Sequence, residues 1–272
     1  MKRAREVIQE IVLCGLARSN FFKHVDFHGG TSLRIIHGLD RFSEDLDFDR
    51  YDQNYAIDFE RMAYYICNEL ESYGLKYEMD KVTTPDSNIW GCYIVGNMYE
   101  TLKAMGFKEK VLKQVHPNTL LRVKIDIDLE MPDGYRLDHQ YKSSPFHYGI
   151  TLLDLPSLFA GKTATVVGRH WISRVKGRDL YDFEWYIRNK VPINLEYFSN
   201  NLLRGGTIES PIKDKEALLS VLEKRFMAID YDNALQDLYA FVPRENIPKG
   251  WCPEHFIELS KDILIKDYGS PE

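Results

Sequence analysis

Apolar residues recur at Val7, Ile8, Ile11, Val12 and Leu16. That three-and-four spacing describes a helix over residues 4 to 18 with one buried face. A short apolar run, Val25 to Phe27, reads as a strand, and residues 32 to 38 as a short helix turning Leu33 and Ile36 inward. Residues 57 to 72 repeat the helical pattern through Ile57, Met62, Tyr65, Ile66 and Leu70, with Gly74 placed to end the helix. The period then changes. Residues 75 to 84 and 88 to 95 alternate and are rich in Tyr, Val, Ile and Trp, predicting two strands around a Pro85–Asp86 turn. Residues 97 to 115 read as helix or loop. LLRVKIDIDL, residues 120 to 129, is the clearest strand of the chain. Val123, Ile125, Ile127 and Leu129 line one of its faces; Arg122, Lys124, Asp126 and Asp128 line the other. Residues 136 to 144 give one more strand, after which ITLLDLP leads into a helix with Pro156 near its start. The rest is helical, without a Gly/Ser-rich linker or an internal repeat.

These elements predict an α/β (α+β) protein with a small mixed sheet and flanking helices over residues 1 to 150. A helical C-terminal region follows over 151 to 272, with a soft boundary near residue 150. The 272 residues suffice for one large domain or two packed ones, and 44% apolar and 28% charged residues are ordinary for a globular chain. No apolar run approaches the ~20 residues of a membrane span, and no signal peptide is evident, so no membrane partner is expected. Cys14, Cys67, Cys92 and Cys252 are scattered without a CxxC pair and read as reduced thiols of a cytoplasmic protein. His24 and His28 flank the first strand and read as structural rather than as a metal pair.

The net charge of −6 runs against a polyanionic partner until it is located. Residues 207 to 272 carry 13 Asp/Glu against 8 Lys/Arg, a balance of −5. Residues 162 to 178 carry Lys162, Arg169, Arg174, Lys176 and Arg178 with no acid at all. Residues 103 to 124 add six Lys/Arg against Glu109 alone. The global charge therefore leaves nucleotide and nucleic-acid ligands open.

Candidate chemistry concentrates in residues 28 to 49, HGGTSLRIIHGLDRFSEDLDFD. Gly29 and Gly30 let backbone N–H groups of Gly29, Gly30, Thr31 and Ser32 approach an anion at the start of a helix, where the helix dipole adds attraction. Asp45 and Asp47, two apart on a strand, point their carboxylates to one face, an oxygen-only pair suited to Mg²⁺. A GG pair alone is usually a turn, and a DxD pair alone is common on solvated strands. Together, in this order, they have the layout of metal-assisted nucleotidyl transfer. Arg41 reads as a brace for the acidic strand and a nucleotide-site candidate, with a purely structural ion pair as its alternative. Asp126 or Asp128, on the polar face of the clearest strand, would add a third carboxylate. P-loop, GxGxxG, HExxH and GxSxG patterns are absent, so ATPase, dinucleotide and serine-hydrolase readings lack support.

GGTSL followed by RFSEDLDF resembles the nucleotidyltransferase core of the DNA polymerase β-like superfamily, and more narrowly the AbiEii/AbiGii type of toxin nucleotidyltransferase. The resemblance extends over roughly residues 25 to 190 through LFAGKTATVVGR, with Lys162 and Arg169, and KGRDLYDF, with Asp179 and Asp182. It implies a nucleotidyltransferase fold whose helical C-terminal region completes the active site. It implies that Lys162 contacts nucleotide phosphates and that an Asp of the RDLYD run, Asp179 or Asp182, helps build the site. It maps the third metal carboxylate best onto Asp126. It further implies an NTP substrate, two Mg²⁺ ions, an RNA acceptor (most often tRNA), a cognate antitoxin and a role in phage defence. On the residues alone, KGRDLYDF is also an ordinary salt-bridged helix, in which Arg178 can pair with Asp182. Tyr181, Trp185 and Tyr186 read as core rather than as base-stacking platforms. Two other functions stay open at this stage: nucleotidyl transfer to a small molecule or a protein, and a catalytically silent nucleotide-binding protein. Intact Asp45, Asp47 and Lys162 argue against the second.

Overall fold

A computed structural model of the chain describes residues 1–82, 88–169 and 174–268. They fall into two units. The first comprises Met1–His37, Ser43–Met131 and Leu137–Leu152; the second comprises Gly38–Phe42, Pro132–Arg136 and Leu153–Glu272.

The first unit runs α1 (Lys2–Arg18), β1 (Val25–His28), α2 (Gly29–His37), β2 (Leu46–Arg50), α3 (Phe59–Glu71), β3 (Tyr77–Val82), β4 (Ile89–Asn97), α4 (Met98–Ala104), α5 (Glu109–Leu112), β5 (Leu120–Asp128), β6 (Leu137–Lys142) and β7 (Tyr148–Leu153). Its seven strands form one sheet in the order β3-β4-β5-β2-β1-β7-β6. β1 pairs antiparallel with β2, and β2 pairs parallel with β5, so the expected mixed sheet is borne out. Alternation along β1, β2 and β5 puts Phe27, Phe48, Ile125 and Ile127 on one buried face with α1 and α3 residues Ile8, Ile11, Val12 and Ile66. The rings of Phe21 and Phe27 sit 5.1 and 5.2 Å from that of Phe48, centroid to centroid. α3 begins at Asp58, whose carboxylate accepts the Arg61 N–H at 2.9 Å, an N-cap the sequence supplies locally.

Two elements differ from the sequence reading. ITLL leads into no helix directly but lies in β7, which pairs parallel with β1 at Phe27 and Leu152. α2 starts at Gly29 itself, so the glycine pair opens the helix rather than preceding it. The Pro85–Asp86 turn lies outside the described residues.

The second unit runs α6 (Leu155–Gly168), α7 (Gly177–Arg188), α8 (Leu195–Arg204), α9 (Lys215–Phe226), α10 (Tyr231–Leu238) and α11 (Pro253–Ser260). Asp154, Asn194, Asp214 and Asp230 each cap the helix that follows with a side-chain oxygen. Phe159, Phe183, Phe198, Phe226 and Phe256 are fully buried in its interior. The Gly38–Phe42 segment is held within this unit, where the Phe42 N–H donates to the Phe241 carbonyl at 3.1 Å. No helix among the described residues is long and apolar enough to cross a membrane.

Candidate active site

The sheet face opposite the apolar one carries ionisable residues in two rows set by register. In the antiparallel β1–β2 ladder His28 stands opposite Asp47, and Asp26 opposite Asp49. In the parallel β2–β5 ladder Asp47 stands beside Asp126, and Asp49 beside Asp128. One row is therefore His28–Asp47–Asp126 and the next Asp26–Asp49–Asp128. Asp45 immediately precedes β2. Its loop is held from α1, where Gln9 Nε2 donates to the carbonyls of Ser43 at 3.2 Å and Glu44 at 2.8 Å. Thr31 in the first turn of α2 donates its hydroxyl to the Asp45 carbonyl, so the helix start and the acidic loop are tied together.

Gly29 is required twice over. Its φ of +76° lets the chain pass from β1 into α2 without a linker. A Cβ at that position would also stand 2.5 Å from Asp47 Oδ2, so only glycine allows β2 this close to the helix start. Thr31 and Ser32 are fully buried, and the Thr31 hydroxyl is already committed to the Asp45 carbonyl.

The carboxylates are crowded. Burial pushes Asp45 up, and the charges of Asp47, Glu44 and Asp126 push it further, against a downward pull from Lys124. Lys124 Nζ lies 2.6 Å from Asp126 Oδ2. Burial lowers the His28 imidazole, but the Asp49, Asp47 and Asp26 carboxylates outweigh it and lift the group to about 10. Its Nε2 is 3.3 Å from Asp49 Oδ1. Asp26 is fully buried with neither carboxylate oxygen hydrogen-bonded, and burial, with the Asp49 charge, raises it well above the carboxylate range. Among the described residues no three Asp, Glu, His or Cys side chains are already gathered into a coordination sphere. The three predicted carboxylates nevertheless fit a hard divalent cation. They offer oxygen donors alone, and their mutual repulsion at Asp45 is what a bound cation would relieve.

The second unit gathers Lys162, Arg169, Asp179 and Asp182 with Arg41. Arg41 is 2% exposed. Its Nε and Nη2 donate to the two oxygens of Asp182, each at 2.6 Å, and its Nη1 donates to the Phe42 carbonyl at 2.9 Å. Arg41 thus braces α7 rather than the acidic strand. Lys162 Nζ bridges Asp179 Oδ1 at 2.9 Å and Asp182 Oδ2 at 3.0 Å. Arg169, just past the end of α6, reaches Asp179 Oδ2 at 2.8 Å. Three cations meet two carboxylates. Burial raises Asp179, but Lys162 and Arg169 outweigh it and hold the carboxyl below its usual range. Lys176 is pushed down by burial and then by the neighbouring charge of Arg169. Arg178 does not serve Asp182 as expected from spacing; it approaches Asp237 at 3.9 Å and stacks on Phe241 at 4.1 Å. Tyr186 is core, stacked 4.8 Å from Phe159, whereas Tyr181 and Trp185 are only half-buried.

Sequence reasoning read His28 as structural and gave no site role to Lys124, Asp26 or Asp49. Lys124 and Asp126 share a face by simple alternation, a signal that was present but reads equally as a solvated strand. The His28 and Asp26 pairings depend on the β1–β2 register, which no local pattern specifies.

The sequence matches the model of the nucleotidyl transferase AbiEii toxin family, type IV toxin–antitoxin system, over residues 11–255. No curated protein sequence matches the chain. Among solved structures, it is similar to an H. pylori protein assigned as a nucleotidyltransferase, with TM-score 0.50 and 16% identity, covering 95% of this chain and 91% of that one. A second H. pylori protein, JHP933, is similar with TM-score 0.49 and 14% identity over 96% and 88% of the two chains.

Proposed function

The chain belongs to the AbiEii family of nucleotidyltransferase toxins of type IV toxin–antitoxin systems, and from that premise we propose that it transfers a nucleoside monophosphate from an NTP to an RNA, tRNA in particular. The observation that supports this most is the β2–β5 register, which sets Asp47 beside Asp126, with Asp45 just before β2 and within range of both their charges. We assign Asp45, Asp47 and Asp126 as the residues that hold Mg²⁺, two ions in all, with Asp128 one row away beside Asp49. When bound, the cation neutralises charge on phosphate oxygens and helps activate the acceptor oxygen.

The start of α2 offers the backbone N–H groups of Gly29, Gly30, Thr31 and Ser32 to the outer phosphates. In the second unit Lys162, with its surplus of neighbouring positive charge, is assigned to the nucleotide phosphates. Asp179 and Asp182 orient that ammonium, and Arg41 acts through Asp182 without touching the nucleotide. A cytoplasmic toxin acting in phage defence, restrained by a cognate antitoxin, is the biological setting this reading implies. Lys103, Lys108, Lys110, Lys113 and Arg122 of the 103–124 segment, with the basic residues of 169 to 178, are the contacts for the acceptor RNA.

The test is transfer from each of the four labelled NTPs onto total cellular RNA, run at increasing salt. One NTP should label a band of tRNA size, and labelling should fall steeply with salt as phosphate contacts release counterions. Asp47→Ala and Asp126→Asn should each lower transfer by at least ~10²-fold, while Asp128→Asn retains appreciable activity. Charge reversal of Lys108, Lys110 and Lys113 together should weaken RNA labelling. Salt-insensitive transfer that survives the triple reversal would replace the RNA acceptor by a small molecule.

A further inference from the structure

Lys124 occupies an unusual place for a lysine. It lies two residues before Asp126 on β5, so both side chains leave the same face of the sheet. Its ammonium is 2.6 Å from Asp126 Oδ2, and its side chain is about one-third exposed, at 35%. Arg122, the next basic residue on that face, is exposed to solvent instead. Lys124 also acts on Asp45, where it opposes the combined push of Asp47, Glu44 and Asp126. The carboxylate it holds is not walled in from β4. Asp126 stands opposite Gly91, where even a single added Cβ would come within 3.2 Å of Asp126 Oδ1. The glycine keeps that oxygen open.

We infer that Lys124 is a placeholder cation for the metal site, a reading that rests on Asp45, Asp47 and Asp126 being the metal carboxylates. Without metal, the ammonium neutralises Asp126 and limits repulsion within the group. A divalent cation on the same carboxylates repels the ammonium, which then leaves Asp126 Oδ2. A lysine is suited to this exchange because its charge sits on a flexible four-carbon stem. Its Cα stays fixed on β5, so the released ammonium remains within reach of the triphosphate oxygens that a hard cation on these carboxylates recruits. Lys124 thus changes partner, from carboxylate to phosphate, as the substrate complex assembles. An ordinary structural salt bridge would make no such exchange.

The experiment uses the full chain with Lys124→Met and Lys124→Arg. Mn²⁺ binding is measured alone, by the electron paramagnetic resonance of the free ion, and binding of inorganic tripolyphosphate is then measured by calorimetry at saturating Mn²⁺. Lys124→Met should bind Mn²⁺ roughly twofold to fivefold more tightly, the scale of removing one partly exposed ion pair. It should bind tripolyphosphate about tenfold more weakly, and Lys124→Arg should fall near the wild type in both. Opposite signs in the two measurements are the mark of exchange. Unchanged or weaker Mn²⁺ binding in Lys124→Met, or unchanged tripolyphosphate binding, overturns the inference. Asp45→Asn and Asp47→Asn separate the two levels: if both bind Mn²⁺ like the wild type, the metal assignment itself fails and the lysine's role goes with it. Should Lys124→Met melt early, Lys124→Gln serves in its place.

Discussion

Asp182→Asn is the substitution whose cost the structure defines most closely. Asp182 is fully buried and Arg41 is 2% exposed, and two hydrogen bonds of 2.6 Å join them. Lys162 adds a second cation at 3.0 Å from the same carboxylate. Removing the charge leaves a buried guanidinium without its counter-ion, a change that costs about 3–5 kcal/mol. A typical domain has about 5–15 kcal/mol of stability in all, so the second unit should unfold far more readily. Removing both partners is a different perturbation, since apolar replacement of a buried pair is often near neutral. Arg41→Met with Asp182→Leu should therefore recover at least about 2 kcal/mol relative to the sum of the single changes, within the range of direct couplings. Urea unfolding followed by circular dichroism measures wild type, Asp182→Asn, the single changes Arg41→Met and Asp182→Leu, and their double, five proteins in all. The reasoning is refuted if Asp182→Asn costs less than about 1 kcal/mol, or if the double variant loses as much as the two singles added. A strong result has a corollary for activity assays: lost transfer in an Asp182 variant reports folding as much as catalysis, unless stability is measured beside it.

Gly29→Ala should place a Cβ 2.5 Å from Asp47 Oδ2 at a backbone φ of +76°. Displacing one carboxylate by an ångström can cost ~10²-fold in rate, so transfer should collapse while circular dichroism keeps its helical and strand signal; near-normal activity would show that Asp47 is not where the chemistry needs it. The pH dependence of stability should carry the mark of Asp179. Its folded carboxyl is held below the usual range by Lys162 and Arg169 against burial. The stabilisation is then complete above the unfolded value of about 3.9 and lost as pH falls through the lower folded value. Acid unfolding curves of wild type and Asp179→Asn should converge below about pH 4, and parallel curves down to the lowest pH would contradict the ion pairs.

The parts of the fold legible in the sequence are those where a period speaks for itself. LLRVKIDIDL alternates strictly, and β5 occupies it with the predicted faces. α1 and α3 follow their apolar spacing. β7 was not legible because four of its last residues, ITLL, are all buried, so the alternation that marks a half-exposed strand is missing. The start of α2 was hidden by chemistry of another kind. A glycine pair reads as a turn, whereas here Gly29 is needed because Asp47, eighteen residues on, comes against it in space. The candidate carboxylates Asp45, Asp47 and Asp126 were visible as residue types at strand spacing. Their side-by-side placement is a matter of register, which only the assembled sheet supplies. Arg41 had no local partner to be read from spacing, and the arginine that did, Arg178, went to Asp237 instead.

The Arg41–Asp182 pair also bears on how the protein is made. The two residues are 141 apart in the chain. At about 5–20 residues per second, a ribosome takes on the order of ten to thirty seconds to travel from one codon to the other. Throughout that interval the Gly38–Phe42 segment, which joins the glycine-led helix to the acidic strand, has been synthesised but has nothing to bury its guanidinium against. The nascent chain therefore carries Gly29, Asp45 and Asp47 long before the segment that joins them is anchored, and anchoring waits for α7 to leave the tunnel.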